Sequence, residues 1–334
     1  MKNDAVKKLF NKHEVLITCL LIVIWLCFSM INKNYATVNN FAAILRTMSF
    51  YGIIAVPLSF VIMQGNSDIS TGASASFSAV FGTALMLNTN CFGMMETPNE
   101  WLGVLLCVVV AMLIGAAIGA INATMVVRYR MPPFIATVGM QYVLNGFKMV
   151  ITGGTYVYPL PKALTSFVRI GLPIGRNKIA ITFFIFLGVA IAAQLILAYT
   201  TYGRSVYSIG SNRIVAELSG IKTKRVCYTN YMVLHALVAL VGVLNAGYLE
   251  QGTPTIGTDW HLTIMAACAI GGIKFSGGAG NMIGLLIGVF TMFSMNSAIA
   301  YTGASTFLQD VLIGVVLMVI LIFDGVRANQ KMRA

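Results

Sequence analysis

The sequence predicts an all-α, polytopic membrane bundle of about ten transmembrane helices, some of them short and broken. Three observations carry that prediction. The 334-residue chain is 58% hydrophobic and only 10% charged, against roughly a quarter charged in an average soluble domain. Apolar runs at 15–30, 102–127, 134–151, 179–199, 228–249, 282–300 and 307–323 approach or exceed the ~20 residues that cross a hydrocarbon core. Basic residues collect in alternate gaps between those runs, as cytoplasmic anchors do. Lipid offers backbone groups no water to bond, so the runs must be helices. The chain therefore reads as a single transmembrane unit over 1–334, with its membrane-embedded core at 14–327.

Taken in order, the chain begins MKNDAVKKLFNKH. This resembles a signal-peptide start, but no small-residue cleavage site follows, so the first run reads as an uncleaved helix. Lys2, Lys7, Lys8 and Lys12 put its start inside. Residues 88–100 hold Glu96 and Glu100 and no base, so they belong outside. Arg128 and Arg130 mark an inside turn, the bases from Arg204 to Arg225 a longer inside loop, and Arg327, Lys331 and Arg333 an inside C-terminus. The sides alternate correctly only if short helices also cross at about 51–63, 73–87 and 262–273. The net charge of +12 is thereby spent on membrane anchoring and does not point to nucleic acid. The six cysteines form no C-x-x-C pair and read as small buried hydrophobes.

One outside loop departs from the charge rule. Residues 152–178 carry Lys162, Arg169, Arg176 and Lys178 and no acid. Tolerated external cations are one reading; a docking surface for an acidic external partner is the other.

Three segments interrupt the helices with polar or Gly-rich sequence: 64–72 (QGNSDISTG), 247–260 (GYLEQGTPTIGTDW) and 271–280 (GGIKFSGGAG). Irregular backbone at membrane depth is tolerated only where it is buried in protein or lines a water-filled cavity. Paired interruptions in two halves point to a transport path. A weak internal pseudo-repeat fits this: Gly115–Gly119 and Gly284–Gly288 are both G-x-x-x-G, each following an interruption that contains an Asp (Asp68, Asp259).

Asp68 is the foremost ionisable residue, since a carboxylate between membrane segments is expensive and functional by default. Capping the following helix together with Ser70 and Thr71 is the alternative. The path candidates are Asp68, Ser70, Asn122, Gln141, Asn145 and Asn296, though polar side chains in bundles also serve as interhelical glue. No catalytic constellation is visible. His13, His235 and His261 have no His, Cys or carboxylate at metal-ligand spacing, and the Gly-rich run lacks G-x-x-x-x-G-K-[ST]. Neither metal, cofactor nor ATP hydrolysis by this chain is expected.

The inside loop at 200–226 carries an amphipathic stretch. Ile214, Ala216 (or Val215), Leu218 and Ile221 can form one face, suited to a groove on a cytoplasmic partner.

Four elements together resemble the ribose-type branch of bacterial ABC importer permeases, which handles ribose, arabinose, xylose, galactose and related sugars. They are NSDISTG (66–72), PPFIATVGM (132–140), YGRSVYSIGSNRIVAELSGI (202–221) and GGIKFSGGAGNMIG (271–284), in the branch's order and spacing. The resemblance covers nearly the whole chain. It implies a multi-pass protein of the bacterial inner membrane, paired with a second permease subunit (identical or different) and served by cytoplasmic ABC ATPases and an extracytoplasmic sugar-binding protein. It also implies that Gly203, Arg204, Gly210, Asn212, Ala216, Gly220 and Ile221 belong to the ATPase coupling loop. Asn66 and Ser67 stand where the branch has Gly and Ile, and Val215 where it has Ala. Members that carry autoinducer-2 vary at the first of these places. A similar small polyol-like solute, or less simply an ion-coupled transporter, is the competing expectation.

Overall fold

The computed structural model describes residues 13–95, 99–174, 177–303, 305, 307–315, 317–319 and 322. Among the described residues, seven helices are long and apolar enough to cross a membrane, as the composition requires. They are α1 (His13–Ile31), α2 (Val38–Met63), α4 (Glu100–Ala123), α5 (Pro133–Thr152), α7 (Ile181–Tyr199), α10 (Thr223–Leu249) and α12 (Met282–Tyr301). Between them stand α3 (Thr71–Asn88) and the half-length α11 (Trp260–Ile270), and a short apolar helix follows at Phe307–Val319. The small elements α6 (Lys162–Arg169), α8 (Thr201–Ser211) and α9 (Arg213–Leu218) lie in the connections.

Two helices make the centre. α2 and α10 pack on each other and are buried on most sides, as a helix that is apolar all round must be. The expected short helix at 51–63 is the end of the 26-residue α2. Its first turns escaped notice because Asn39, Asn40, Arg46 and Thr47 dilute the apolar signal. Thr37 caps it by accepting from Asn40 N–H. α3 and α4 cover one side of α10, α5 packs on the outside of α3, α7 lies along α2, and α11, α12 and α1 close the other side.

Between helices in lipid the hydrophobic effect gives no net attraction, so close packing and polar contacts must hold the bundle. Both G-x-x-x-G pairs do this, against different partners. A Cβ at Gly119 would lie 2.2 Å from the Tyr231 carbonyl oxygen, and one at Gly115 2.4 Å from that of His235. This brings α4 against α10 backbone to backbone. A Cβ at Gly288 would lie 2.4 Å from Gly271 N, seating α12 on the end of α11.

The structure adds what hydropathy could not predict. Residues 171–180 form a two-stranded antiparallel hairpin, β1 (Gly171–Ile174) with β2 (Asn177–Ala180). Cys91, Cys107, Cys227 and Cys268 are buried as expected, whereas Cys19 and Cys27 are exposed on the outer face of α1. An apolar helix needs no neighbour where lipid is the solvent.

Candidate functional site

α2 ends at Met63, and the chain turns through 64–70 before α3 starts. Asp68 sits in this turn with no solvent exposure. Its Oδ1 accepts from Ser70 N–H at 2.8 Å and from the Ser70 hydroxyl at 2.6 Å. Its Oδ2 accepts from Asn122 Nδ2 at 3.1 Å and lies 2.9 Å from His235 Nε2. On the other side of the ring, His235 Nδ1 is 3.0 Å from Ser74 Oγ. A ring with its proton on Nε2 satisfies both contacts, donating to Asp68 and accepting from Ser74. The network thus ties the turn to α3, α4 and α10.

This alters the sequence reading in two ways. Asp68, Ser70 and Asn122 do come together, sealed from solvent, and their bonds brace the turn. Ser70 and Thr71 make no side-chain cap: Ser70 gives its hydroxyl to Asp68, and the buried Thr71 Oγ1 has no partner among the described residues. His235, judged from spacing to have no carboxylate neighbour, is the partner of Asp68 from 167 residues away. Periodicity cannot show such a pair. The other path candidates lie apart, Gln141 and Asn145 half-buried on α5 and Asn296 half-buried on α12.

The second interruption folds back into the bundle. Residues 251–259 run down beside α3: a Cβ at Gly72 would lie 2.0 Å from the Gly257 carbonyl oxygen, and Ser76 Oγ donates to the Pro254 carbonyl at 2.9 Å. Lys148 of α5, which sequence analysis overlooked inside its apolar run, is buried and donates to Ser76 Oγ at 3.0 Å.

At the basic end, α8 and α9 form a compact elbow. Thr200 Oγ1 caps α8 by accepting from Gly203 N–H at 3.1 Å, and Asn212 Oδ1 caps α9 by accepting from Val215 N–H at 3.1 Å. Gly220, at φ +81°, ends α9. Its N–H bonds Glu217 O, and Ile221 N–H reaches back to Ala216 O, the paired bonds of a left-handed helix cap. Thr223 donates to Glu217 Oε1 at 2.6 Å, and Arg213 lies 3.4 Å from the same oxygen. These contacts, the Thr223 hydroxyl first, hold the Glu217 carboxyl below its ordinary pKa.

The elbow is seated by backbone. A Cβ at Gly210 would fall 1.8 Å from Met63 O and 2.4 Å from Gly278 N, while Gly278 N–H bonds Met63 O at 2.8 Å. The Tyr207 hydroxyl adds a 2.7 Å bond to Gly280 O. Gly203 is pressed on the end of α7, and Arg204 is exposed. The apolar face differs from expectation in two residues, one of them Ile221, which is half-buried and packed against the core. Ile214, Val215 and Leu218 project outward at 71%, 56% and 83% exposure, but Ala216 points into the core. A helix cannot place 214, 216 and 218 on one side; 214 and 218 share a face and 216 opposes it.

At the opposite end, the segment after α5 folds into α6 and the hairpin. Arg169 pairs with Glu250, so an acid from a neighbouring loop offsets one of the cations that looked uncompensated. Arg46, Arg169 and Lys178 line a cavity of about 170 Å³. Lys162 and Glu250 line another of about 540 Å³. Arg176 lies outside the described residues.

Residues 40–321 match the family model described as the permease component of a branched-chain amino acid transport system. The chain belongs to this permease family. The ribose import permease of Escherichia coli K12 is 30% identical to it over 310 residues, 91% of each chain. The L-arabinose ABC transporter permease of Azospirillum brasilense is 26% identical, covering 98% of this permease and 91% of that one. The autoinducer 2 import permease of Yersinia enterocolitica is 27% identical, with 94% and 83% covered. No solved structure matches the permease.

Proposed function

We propose that this permease is the membrane subunit of an ATP-driven importer for a small sugar in the bacterial inner membrane, with both termini in the cytoplasm. What carries the reading is similarity to sugar import permeases along nearly the full length of both chains. The elbow at α8–α9 gives it a mechanism. Its outward apolar residues Ile214, Val215 and Leu218 suit a groove on a cytoplasmic ATPase. Motion imposed there would pass through Gly210 to the end of α2 and to the Gly-rich loop, because those contacts are backbone on backbone. Lys162, Arg169, Arg176 and Lys178 would meet a loaded binding protein on the other side. A second permease subunit, identical or not, would complete the path, and alternating access follows from rocking of the bundles.

The test is uptake by cells lacking this chain, supplied with labelled ribose, arabinose, galactose and autoinducer-2. Loss of uptake of one of them, restored by the intact chain but not by Gly220→Asp, is the expected result. Unchanged uptake of all four would sink the assignment. The buried Asp68–His235 pair favours a second reading, an ion-coupled carrier using that pair as a proton relay. Uptake abolished by a protonophore while ATP is maintained would select it.

A further inference from the structure

We propose that the cleft between α2 and α12, together with the exposed ground around Asp259, forms the outer part of the solute path and receives a small neutral polyhydroxylated molecule. This rests on the permease reading above and adds a site and a ligand chemistry to it.

The first observation is the depth of Asp259. α12 has 20 residues, about 30 Å of axis, and Phe293 stands 11 residues along it (293 − 282), about 16 Å in. The Tyr51 ring packs between Phe293 at 4.5 Å and Trp260 at 4.7 Å, centroid to centroid. Trp260 is the first residue of α11, so Asp259 sits at about half the height of the bundle. There Thr255, Thr258 and Asp259 are all exposed. A carboxylate facing hydrocarbon at that depth costs about 3 kcal/mol or more. These groups must therefore face water or another polar surface.

The second observation is the cleft itself. One turn above Tyr51, Asn40, Thr47, Phe293, Asn296 and Ser297 line a cavity of about 150 Å³. It is roomy enough for several waters. The Asn296 Oδ1 atom has no partner among the described residues and is turned away from the cleft; a rotation of the amide would offer it to a ligand hydroxyl. The amides and hydroxyls of the cleft lie beside the Phe293 ring, a lining that fits a molecule with hydroxyls on its edges and C–H groups on its faces. No Lys or Arg lines the cleft, so it has nothing to hold the carboxylate of an amino acid or a phosphate.

The test uses the full chain in bacterial-lipid vesicles, carrying Thr47→Cys or Thr258→Cys. A charged, membrane-impermeant maleimide is added, and labelling is read by peptide mass spectrometry against the natural Cys19 and Cys27 on apolar α1. An aqueous path predicts labelling at least about tenfold faster at the new thiols, slowed by ribose, arabinose or galactose and not by leucine. Labelling as slow as at Cys19 and Cys27 overturns the path. Fast labelling that only leucine slows, or that none of the four slows, overturns the ligand class. Cellular sugar uptake by the wild-type chain is measured in parallel: uptake with slow labelling rejects this site alone, and no uptake with fast labelling rejects the importer reading alone.

Discussion

Asp68 and Asp259 stand before the two helices that begin inside the bundle, α3 and α11, and their surroundings are opposite. Asp68 has no exposure and accepts from Ser70, Asn122 and His235. Asp259 is exposed and follows a loop of exposed threonines. Matching places in the two interruptions therefore cover two different environments. A carboxylate that has spent its lone pairs on three chain segments holds them together and has none left for a solute. One that faces outward at mid-height is free to meet whatever passes.

The largest effect should come from breaking that contrast. Removing one partner of a buried pair leaves the other stranded and costs about 3–5 kcal/mol, so Asp68→Ala should sharply lower the thermal unfolding midpoint in detergent. Asp259→Asn should stay within about 0.5 kcal/mol while impairing uptake. Equal melting of the two variants would erase the distinction.

A smaller effect tests how far the locked region extends toward the basic end. Gly210→Ala must push on the Met63 carbonyl or on Gly278 N, both backbone, and overpacking of that kind costs about 1–3 kcal/mol. The expected outcome is a lowered midpoint with loss of ATPase stimulation. An unchanged midpoint would mean that the elbow is loosely seated.

The smallest effect concerns a third carboxylate, Glu217, bonded like Asp68 but exposed like Asp259. Its pKa is lowered in the folded chain, chiefly by the Thr223 hydroxyl and then by Arg213. The contact therefore contributes at neutral pH and fades as pH falls through that lowered value. Once the intrinsic slowing of amide exchange with falling pH is divided out, protection of the α9 amides should fall at acid pH, and Thr223→Val should remove most of that fall. Identical pH dependence in that variant would show that Thr223 does not hold Glu217.

How much of this was legible depended on range. The long apolar runs and their broken partners could be read directly, because burial in lipid imposes a local composition on every crossing segment. The elbow's caps are local too, since Asn212 and Gly220 act on backbone within a few residues, but in the sequence these residues stood out only through the family resemblance. The beginning of α2 was hidden because a helix packed against other helices at a polar cleft need not be apolar at Asn40 and Thr47. His235 and Lys148 were missed for another reason. Each looks like an isolated polar residue within its own run, and each gains its role from a serine or aspartate on a distant helix. The hairpin at 171–180 is held by pairing with neighbours, which hydropathy does not record.

The junction of Met63, Gly210 and Gly278 has a consequence for synthesis. Its parts lie 147 and 68 positions apart (210 − 63 and 278 − 210), and a chain emerges from its N-terminus onward. An unfinished chain that stops short of residue 278 has α8 and α9 but not the third strand of backbone that fixes their position. The elbow can rest on Met63 and α7 early, but its full seat is completed only when most of the protein has been made.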